Sequence, residues 1–200
     1  MQEYSKAFLS KVSEVCNLID LNQIEKIIQA LCQIKINKGR IFFIGIGGNA
    51  ANASHAVNDF RKIIGIEAYS PIDNVSELTA RVNDEGWDNV FLNWLITSNL
   101  SRNDALFVLS VGGGDVKRNI SKNIVIALEY AKKIKTPIFG IVGRNGGYTK
   151  SIADYCILIP NIDDNIVTPL TESFQAIILH LIASHPKLKS YNMKWESVDK

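Results

Sequence analysis

The chain has 200 residues, of which 46% are hydrophobic and 21% charged, so it is long enough to bury one sizeable core. Its 22 Lys and Arg residues against 20 Asp and Glu residues give a formal net charge of +2, and the scattered basic residues argue against a nucleic-acid groove or a membrane surface. No apolar run approaches the roughly 18 residues of a membrane span, and the first residues lack the features of a signal peptide, so we expect a cytoplasmic protein whose partners are small molecules or copies of itself.

Two amphipathic helices are expected at the start of the chain, within residues 2–37. Apolar residues recur at helical spacing from Phe8 to Leu18, and again from Ile24 to Ile34 after an interruption. Three short apolar runs rich in β-branched and aromatic residues then predict strands at 41–46, 105–111 and 137–142. Weaker strand candidates are Ile66–Ser70 and Tyr155–Pro160, and further helices are expected near 49–63, 87–100, 118–134 and 170–184.

The alternation of strands and helices predicts the α/β class. Near-continuous apolar strands are typical of a parallel sheet that is buried on both faces. Since no Pro-, Gly- or Ser-rich linker interrupts the pattern, we expect residues 1–200 to form a single domain. Its architecture would be a three-layer αβα sandwich around a doubly wound parallel sheet of five strands, with residues 1–37 as an N-terminal helical segment. In such folds ligands bind at the carboxyl ends of the strands, near the switch in strand order.

Two glycine-rich turns stand where ligands are expected, each between a predicted strand and a predicted helix. The turn Gly45–Gly48 offers backbone N–H groups and a helix N-terminus, which can receive an anion, but close packing of the helix on the sheet would also explain its glycines. The segment Ser110–Asp115 contains three adjacent glycines, which are costly in a regular element and favour a loop whose backbone approaches a ligand. The pair Gly146–Gly147 is interpreted as a turn.

Two predicted helices carry a histidine together with a carboxylate. His55 and Asp59 lie four residues apart and project from one helix face, where they can bind a metal ion or act as base and orienter. A hydrogen bond on the helix surface is the alternative. Glu172 and His180 lie two turns apart on an apolar helix, where a lone histidine is usually a hydrogen-bonded core residue.

The three cysteines are expected to be buried free thiols. Cys16, Cys32 and Cys156 are widely separated and lie in apolar contexts. An odd number of cysteines at this spacing fits neither a disulfide framework nor a metal cluster.

Taken together, these motifs resemble the sugar isomerase (SIS) fold and, within it, the phosphoheptose isomerases. That family converts sedoheptulose 7-phosphate to glycero-manno-heptose 7-phosphate, a precursor for lipopolysaccharide or capsule. The likeness spans nearly the whole chain. It is carried by the N-terminal helices, the first glycine turn, VSELTARVNDEGW (75–87), the loop at 110–114, VGRNGG (142–147) and the two histidine helices.

The resemblance implies a divalent metal, most commonly zinc, and a homotetramer with active sites at subunit boundaries. Family members place the metal between a His and a Glu of one helix and a Gln and a His of another. The corresponding ligands in this chain are His55, Asp59, Glu172 and His180. We assign Asp59 and His180 as the acid–base pair that moves a proton between adjacent carbons. The expected substrate contacts are Gly47, Gly48, Asn49, Asn83, Asp84, Ser110, Gly112, Gly113, Gly114 and Glu172.

The loop expected to hold the phosphate departs most from the family. Its hydroxyl-rich Ser-Thr-Ser-Gly-Asn-Ser corresponds here to Ser-Val-Gly-Gly-Gly-Asp. Backbone N–H groups of Gly112–Gly114 and Asn49, helped by Lys117 or Arg118, remain as donors, whereas Asp115 would oppose a phosphate. Two alternatives therefore stay open: an isomerase of another phosphosugar, and a non-catalytic SIS sensor of sugar phosphates. The sensor is disfavoured because the sequence shows no DNA-binding segment beside the sheet.

Overall fold

Helices and strands alternate along the chain after two N-terminal helices in a computed structural model that describes residues 2–191. The helices are α1 (Gln2–Leu18), α2 (Leu21–Ile36), α3 (Gly48–Asp59), α4 (Val75–Glu85), α5 (Val90–Thr97), α6 (Lys122–Lys133), α7 (Gly147–Ile152) and α8 (Val167–Ser184). The strands are β1 (Ile41–Ile44), β2 (Ala68–Tyr69), β3 (Ala105–Ser110), β4 (Ile138–Val142) and β5 (Tyr155–Leu158). Across residues 2–191, no helix is both long enough and apolar enough to span a bilayer.

The five strands form one parallel sheet in the order β2-β1-β3-β4-β5. The strand order switches between β1 and β3, so the turns that follow these two strands flank the crevice where doubly wound sheets bind ligands. All residues of β1 and β3 are buried, as expected for central strands that carry helices on both faces. The predicted doubly wound parallel sheet of five strands is confirmed.

Side chains that alternate along the strands build a separate core on each face of the sheet. Phe43, Phe107 and Phe139 are paired across β1, β3 and β4, and their rings pack at centroid distances of 5.1 and 5.9 Å. They belong to the core that α2, α3 and α8 cover. Phe42 and Leu106 point to the other face, under α5 and α6. The three-layer αβα sandwich is therefore confirmed.

Two helices have bounds that differ from those predicted by the sequence pattern. The helix expected at 49–63 is α3 followed by one π-helical turn, Phe60–Ile64, which ends where Gly65 adopts a left-handed φ of 75°. The helix expected at 118–134 begins only at Lys122, because Asp115 and Ile120 exchange both backbone hydrogen bonds at 2.9 and 3.1 Å. A short hairpin therefore separates the glycine loop from α6.

The sequence analysis did not predict α4, although the sequence carries a start signal for it. Asn74 caps the helix by accepting hydrogen bonds from the N–H groups of Ser76 and Glu77, at 3.1 and 3.2 Å. Arg81 then pairs with Glu77 and Glu85, four residues to either side. Leu78 and Val82 pack against the core at helical spacing, but no residue of α4 is fully buried, so its apolar pattern is short and was overlooked. The helix expected at 87–100 is likewise shorter, a 3₁₀ turn at Trp87–Asn89 followed by α5.

The cysteines are free, and one of them contradicts the expected burial. Cys32 and Cys156 are partly buried, and burial raises the pKa of the Cys156 thiol to about 12. Cys16 is exposed on α1, so its predicted burial is wrong. The reason is helical geometry, because its neighbour Val15 is the residue of α1 that points into the core.

A buried ion pair joins the amino ends of the two central strands. Asp104, which is 3% exposed, accepts hydrogen bonds from the backbone and guanidinium of Arg40 at 2.9 to 3.1 Å. It also accepts bonds from the backbone N–H and hydroxyl of Ser101. Burial alone would raise the pKa of the Asp104 carboxyl, but these hydrogen bonds outweigh burial and hold it below its usual 3.8.

Replacing Asp104 with Ala is therefore expected to lower the free energy of unfolding at pH 7 by about 3 kcal/mol, because it leaves a partly buried guanidinium without its carboxylate partner. Since the pKa is lowered in the folded state, this stabilisation is present above the unfolded pKa near 3.8 and is lost as the pH falls through the folded value. Urea unfolding at pH 7 and below pH 3.8 measures both effects. Asp88→Ala, which breaks the exposed pair with Lys122, is the control and should change stability little.

Candidate functional site

The first glycine turn brings α3 close to the sheet and to α8. A Cβ on Gly45 would lie 2.6 Å from the carbonyl oxygen of Asn49, and one on Gly48 would lie 2.4 Å from the carboxylate of Glu172. Gly47 starts the helix with a φ of 65°, which strains any other residue. Gly45 is thus required by close packing and Gly47 by its backbone conformation, and the turn sets an anion-receptive helix start beside the carboxylate of Glu172.

Three predicted ligands converge where α3 crosses α8. The Nε2 atoms of His55 and His180 lie 2.8 Å apart, although the two residues are 125 positions apart in the chain. The Oδ2 atom of Asp59 lies 3.3 Å from Nε2 of His55 and 3.5 Å from Nε2 of His180. We call these three residues the His-Asp-His group; each contributes one potential ligand atom, all within 4.8 Å of one another.

The surroundings of Asp59 fit a bound cation. Its Oδ2 atom is buried and has no hydrogen bond of acceptable geometry, whereas Oδ1 accepts one from the Asn58 amide at 3.0 Å. Bonds of 2.0–2.1 Å in a tetrahedral site place ligand atoms about 3.4 Å apart, close to both distances that join Asp59 to the histidines, whereas the two Nε2 atoms at 2.8 Å would have to separate by about 0.6 Å. Two imidazoles and a carboxylate are a donor set that suits zinc and neighbouring divalent metals. The side chain of Asp59 is 3% exposed and those of His55 and His180 are 49% and 48% exposed, so the group opens to the surface.

Glu172 lies apart from the His-Asp-His group, with the predicted substrate contacts of the first glycine turn. Its Oε1 atom accepts a hydrogen bond at 3.2 Å from the side-chain amide of Asn49, which also donates to the carbonyl of Ile46 at 3.0 Å. Its carboxylate faces the backbone of Gly48. The structure thus groups Glu172 with Gly47, Gly48 and Asn49, and its role as a metal ligand stays a prediction.

The second glycine segment is held rigidly against the turn after β4. Ser110 Oγ accepts a hydrogen bond from the N–H of Gly113 at 2.9 Å, and the carbonyl of Gly113 accepts two from Thr149, both at 2.8 Å. A Cβ on Gly113 would lie 1.9 Å from the carbonyl oxygen of Gly146. By contrast, a Cβ on Gly112 would meet nothing within 4 Å, so this glycine faces open space.

A cavity of about 550 Å³ opens between the second glycine segment and the turn after β4. Gly112 and Gly114 line it, and so do the cationic side chains of Lys117, Arg118 and Arg144. Arg118 pairs with Asp115 at 2.8 Å, and the backbone N–H and then the guanidinium of Arg118 hold the pKa of that carboxyl below its usual value. Because Arg118 offsets the negative charge of Asp115, Lys117 and Arg144 leave the net charge of the cavity lining positive. The sequence analysis missed Arg144, since only the fold brings the turn after β4 to the glycine loop.

Asn83 and Asp84 lie at the exposed carboxyl end of α4. The Asn83 amide donates a hydrogen bond to Asp84 Oδ1 at 2.7 Å. Neither residue belongs to the His-Asp-His group or lines the cavity between the second glycine segment and the turn after β4. Their contact with substrate stays a prediction.

Sequence reasoning also missed two amides between α3 and α8. Asn52 donates to the backbone carbonyl of Glu172 at 2.8 Å and to Oε1 of Gln175 at 3.1 Å. Gln175 is completely buried and donates to the carbonyl of Ile141 in β4 at 3.0 Å. Asn52 precedes His55 by three positions, and an amide at helical spacing from a histidine is the signal that was available.

Comparison with known proteins finds phosphoheptose isomerases among both the relatives and the solved structures of similar fold. No protein-family model matches the chain. It is 30% identical over 153 residues to a phosphoheptose isomerase of Helicobacter pylori, covering 73% of each chain. It is 28% identical over 183 residues to a phosphoheptose isomerase of Aneurinibacillus thermoaerophilus, covering 89% of this chain and 87% of the relative. Its fold is similar to that of a phosphoheptose isomerase from Neisseria gonorrhoeae, with a TM-score of 0.78 at 22% identity over 91% of this chain and 97% of the other.

Proposed function

The chain belongs to the phosphoheptose isomerase family, and from that premise we propose that it interconverts sedoheptulose 7-phosphate and D-glycero-D-manno-heptose 7-phosphate. It is an aldose–ketose isomerase that acts on a heptose phosphate. The observation that carries the proposal is the convergence of His55, Asp59 and His180 at a surface-open point where α3 crosses α8. A sugar phosphate can reach the two half-exposed imidazoles, and the buried carboxylate lies 3.3 to 3.5 Å behind them, so the group has both imidazoles and a carboxylate to move protons.

The reaction moves one proton between adjacent carbons and another between their oxygens. Starting from the ketose, we propose that the Oδ2 atom of Asp59 takes the proton from C1, which leaves an enediolate. The same carboxyl returns the proton to C2, so the aldehyde forms at C1. The Nε2 atom of His180 serves the oxygens, taking the proton of the C1 hydroxyl and giving it to the C2 oxygen. Asp59 suits the first task because its Oδ2 atom has no hydrogen bond of acceptable geometry that would compete for the proton.

We propose that His55, Asp59 and His180 hold a divalent metal. Two imidazoles and a carboxylate form a donor set that suits zinc. Glu172 remains the fourth ligand that the family resemblance implies. When bound, such an ion polarises the carbonyl and hydroxyl oxygens and stabilises negative charge that develops on them. Since one atom cannot bind a metal and carry a proton at once, during turnover His55 and Glu172 would hold the ion while Oδ2 of Asp59 and Nε2 of His180 exchange protons.

The spacing of the site along α3 suits a long, acyclic substrate. His55 lies seven residues after Gly48, which is about 10 Å along the helix. Six carbon–carbon bonds of about 1.5 Å each, with the ester link, give an extended seven-carbon sugar phosphate a similar length. We propose that the reacting end lies at the His-Asp-His group, that the carbon chain runs along α3 to Gly48, and that the phosphate lies between this turn and the glycine loop after β3, at Ser110 and Gly112–Gly114. Lys117, Arg118 and Arg144 line the cavity beside that loop and add positive charge.

If these cations hold the phosphate, Lys117→Gln and Arg144→Gln are each expected to raise KM for the sugar phosphate about tenfold. The reason is the loss of a charge-assisted hydrogen bond, while kcat should change little because the reacting carbons are distant. Lys133→Gln, an exposed lysine at the end of α6, is the matched control. Steady-state kinetics of the three variants decide the point, and an unchanged KM in both cavity variants would place the phosphate elsewhere.

The direct test of the function is incubation of the purified protein with sedoheptulose 7-phosphate and detection of the aldose by NMR. Turnover supports the proposal. Binding without turnover would favour a sugar-phosphate sensor, the alternative suggested by the loss of hydroxyl donors from the loop at 110–115. Turnover of other ketose phosphates at a higher kcat/KM would favour an isomerase of another phosphosugar.

We also propose a homotetramer in which neighbouring subunits cover the surface beside the site. Ile177 and Leu181 flank His180 on α8 and are 48% and 39% exposed, and α1 exposes Tyr4 and Leu9. Apolar groups of this kind beside half-exposed histidines suit an interface between copies. Residues 1–37 would then pack both on their own domain and on neighbouring subunits. Light scattering tests the tetramer by measuring the molar mass of the assembly. A single domain, a cytoplasmic location and supply of lipopolysaccharide or capsule precursors also stay predictions.

A further inference from the structure

A continuous polar stripe runs along the contact between α3 and α8. On α3 its residues are spaced by three or four positions and share one face, and on α8 Glu172 and Gln175 are three apart, whereas His180 lies five positions after Gln175 at the exposed edge of the contact. Close packing is allowed by Ala53 and Ala56, which are completely buried on α3. We call this stripe the polar seam; it comprises Asn49, Asn52, His55 and Asp59 from α3 and Glu172, Gln175 and His180 from α8.

The middle of the seam is a bridge of two amides that reaches the sheet. The side-chain nitrogen of Asn52 donates to α8 twice, at the backbone of Glu172 and at Gln175 Oε1. The side-chain nitrogen of Gln175 then donates to the carbonyl of Ile141 in β4. One chain of hydrogen bonds of 2.8 to 3.1 Å thus connects α3, α8 and the central sheet.

Stability alone gives no reason for amides at this place. Gln175 is 0% exposed and lies on the face of α8 that also carries Phe174 and Ile178 into the core. Burying an amide is costly unless every polar atom is bonded, and an apolar pair of the same shape would serve packing as well. What the amides add is precision, because a hydrogen bond is lost when one helix slides by about 1 Å, whereas apolar contacts tolerate such a shift.

That precision is needed one turn further along the seam. His55 follows Asn52 by three residues and His180 follows Gln175 by five, so the ligands lie on the same two helices as the bridge. The distances of 3.3 and 3.5 Å that join Asp59 to the two histidines depend on how α3 is aligned with α8. We propose that Asn52 and Gln175 are positioning residues, which fix this alignment and thereby hold the His-Asp-His group in a geometry that binds a divalent metal.

This inference rests on the proposed metal centre, and a set of shape-matched variants tests it. Asn52→Leu leaves the buried Gln175 without a partner and should lower both the melting temperature and the affinity for Co²⁺, used as a spectroscopic substitute for zinc. In the double variant Asn52→Leu with Gln175→Met, both polar partners are replaced, so most of the melting temperature should return. The affinity for Co²⁺ should stay about 10- to 100-fold below that of the unmodified protein, with an altered visible spectrum, as is typical when residues around metal ligands are lost.

Leu128→Ala, a buried change on α6 at the opposite face of the sheet, is the control for lost stability. It should lower the melting temperature without changing the affinity for Co²⁺. Recovery of full affinity in the double variant would overturn the inference, because then the amides serve only stability. So would an equal loss of affinity in Leu128→Ala, because the effect would follow destabilisation in general.

A further readout separates this inference from the metal proposal. The chain has three histidines, and His185 lies outside the seam, 3.7 Å from Glu25. If the unmodified protein binds no Co²⁺, the metal centre is wrong, and the positioning of the rings is judged by NMR alone. In the double variant the ring resonances of His55 and His180 should shift while those of His185 stay in place. Unshifted resonances would overturn the inference whether or not a metal binds.

Discussion

Replacing His180 with Gln is expected to lower the turnover of sedoheptulose 7-phosphate by at least about 100-fold and to leave the fold intact. The side chain of His180 is 48% exposed, so a polar residue of similar length costs little packing at this position. Its Nε2 atom is also one corner of the His-Asp-His group, and an amide cannot exchange a proton as an imidazole does. A core histidine, the alternative that the apolar helix suggested, would be buried.

Asp59→Asn is expected to have the same effect by a different route. The amide keeps the shape of the carboxylate, whose side chain is 3% exposed, but it cannot take a proton and adds a donor where two imidazoles face it. Circular dichroism, melting temperature and isomerase rate measured on both variants decide the matter. Normal rates in two well-folded variants would refute the proton-transfer assignment and leave the group a structural contact.

Removal of the metal is the second change with a large expected effect. We expect the purified protein to hold about one divalent metal ion per subunit and to lose nearly all activity on treatment with a chelator. The physical reason is that Oδ2 of Asp59 is a buried oxygen with both imidazole nitrogens within 3.5 Å of it, an arrangement that a cation stabilises. Readdition of zinc should restore the rate, and elemental analysis measures the stoichiometry.

Single-histidine variants make this test specific. His55→Ala should abolish stoichiometric metal binding, because it removes one of the three ligands, whereas His185→Ala should leave it unchanged. Full activity in a metal-free protein that a chelator does not affect would contradict the proposed centre. Metal bound equally by both variants would place the ion at another site.

Local pattern was enough to predict the sheet and one half of the candidate centre. The apolar runs at 41–46, 105–111 and 137–142 became β1, β3 and β4, because residues buried on both faces must be apolar whatever packs on them. The spacing of four between His55 and Asp59 fixed their common face through helix geometry alone. The short, partly exposed apolar pattern of α4 was overlooked, and the hairpin at 115–120 has no apolar pattern that could have marked it.

The sequence by itself determined which residues are buried in strands and which side chains share a helix face, since both follow from the repeat of the backbone over a few residues. Only the tertiary structure decided that His180 meets His55 across 125 positions, that Glu172 turns to Gly48, and that Arg144 joins the glycine loop. These contacts depend on how α8 and the turn after β4 dock on the rest of the fold. Docking is set by the summed packing of many distant residues, and no short stretch of sequence records it.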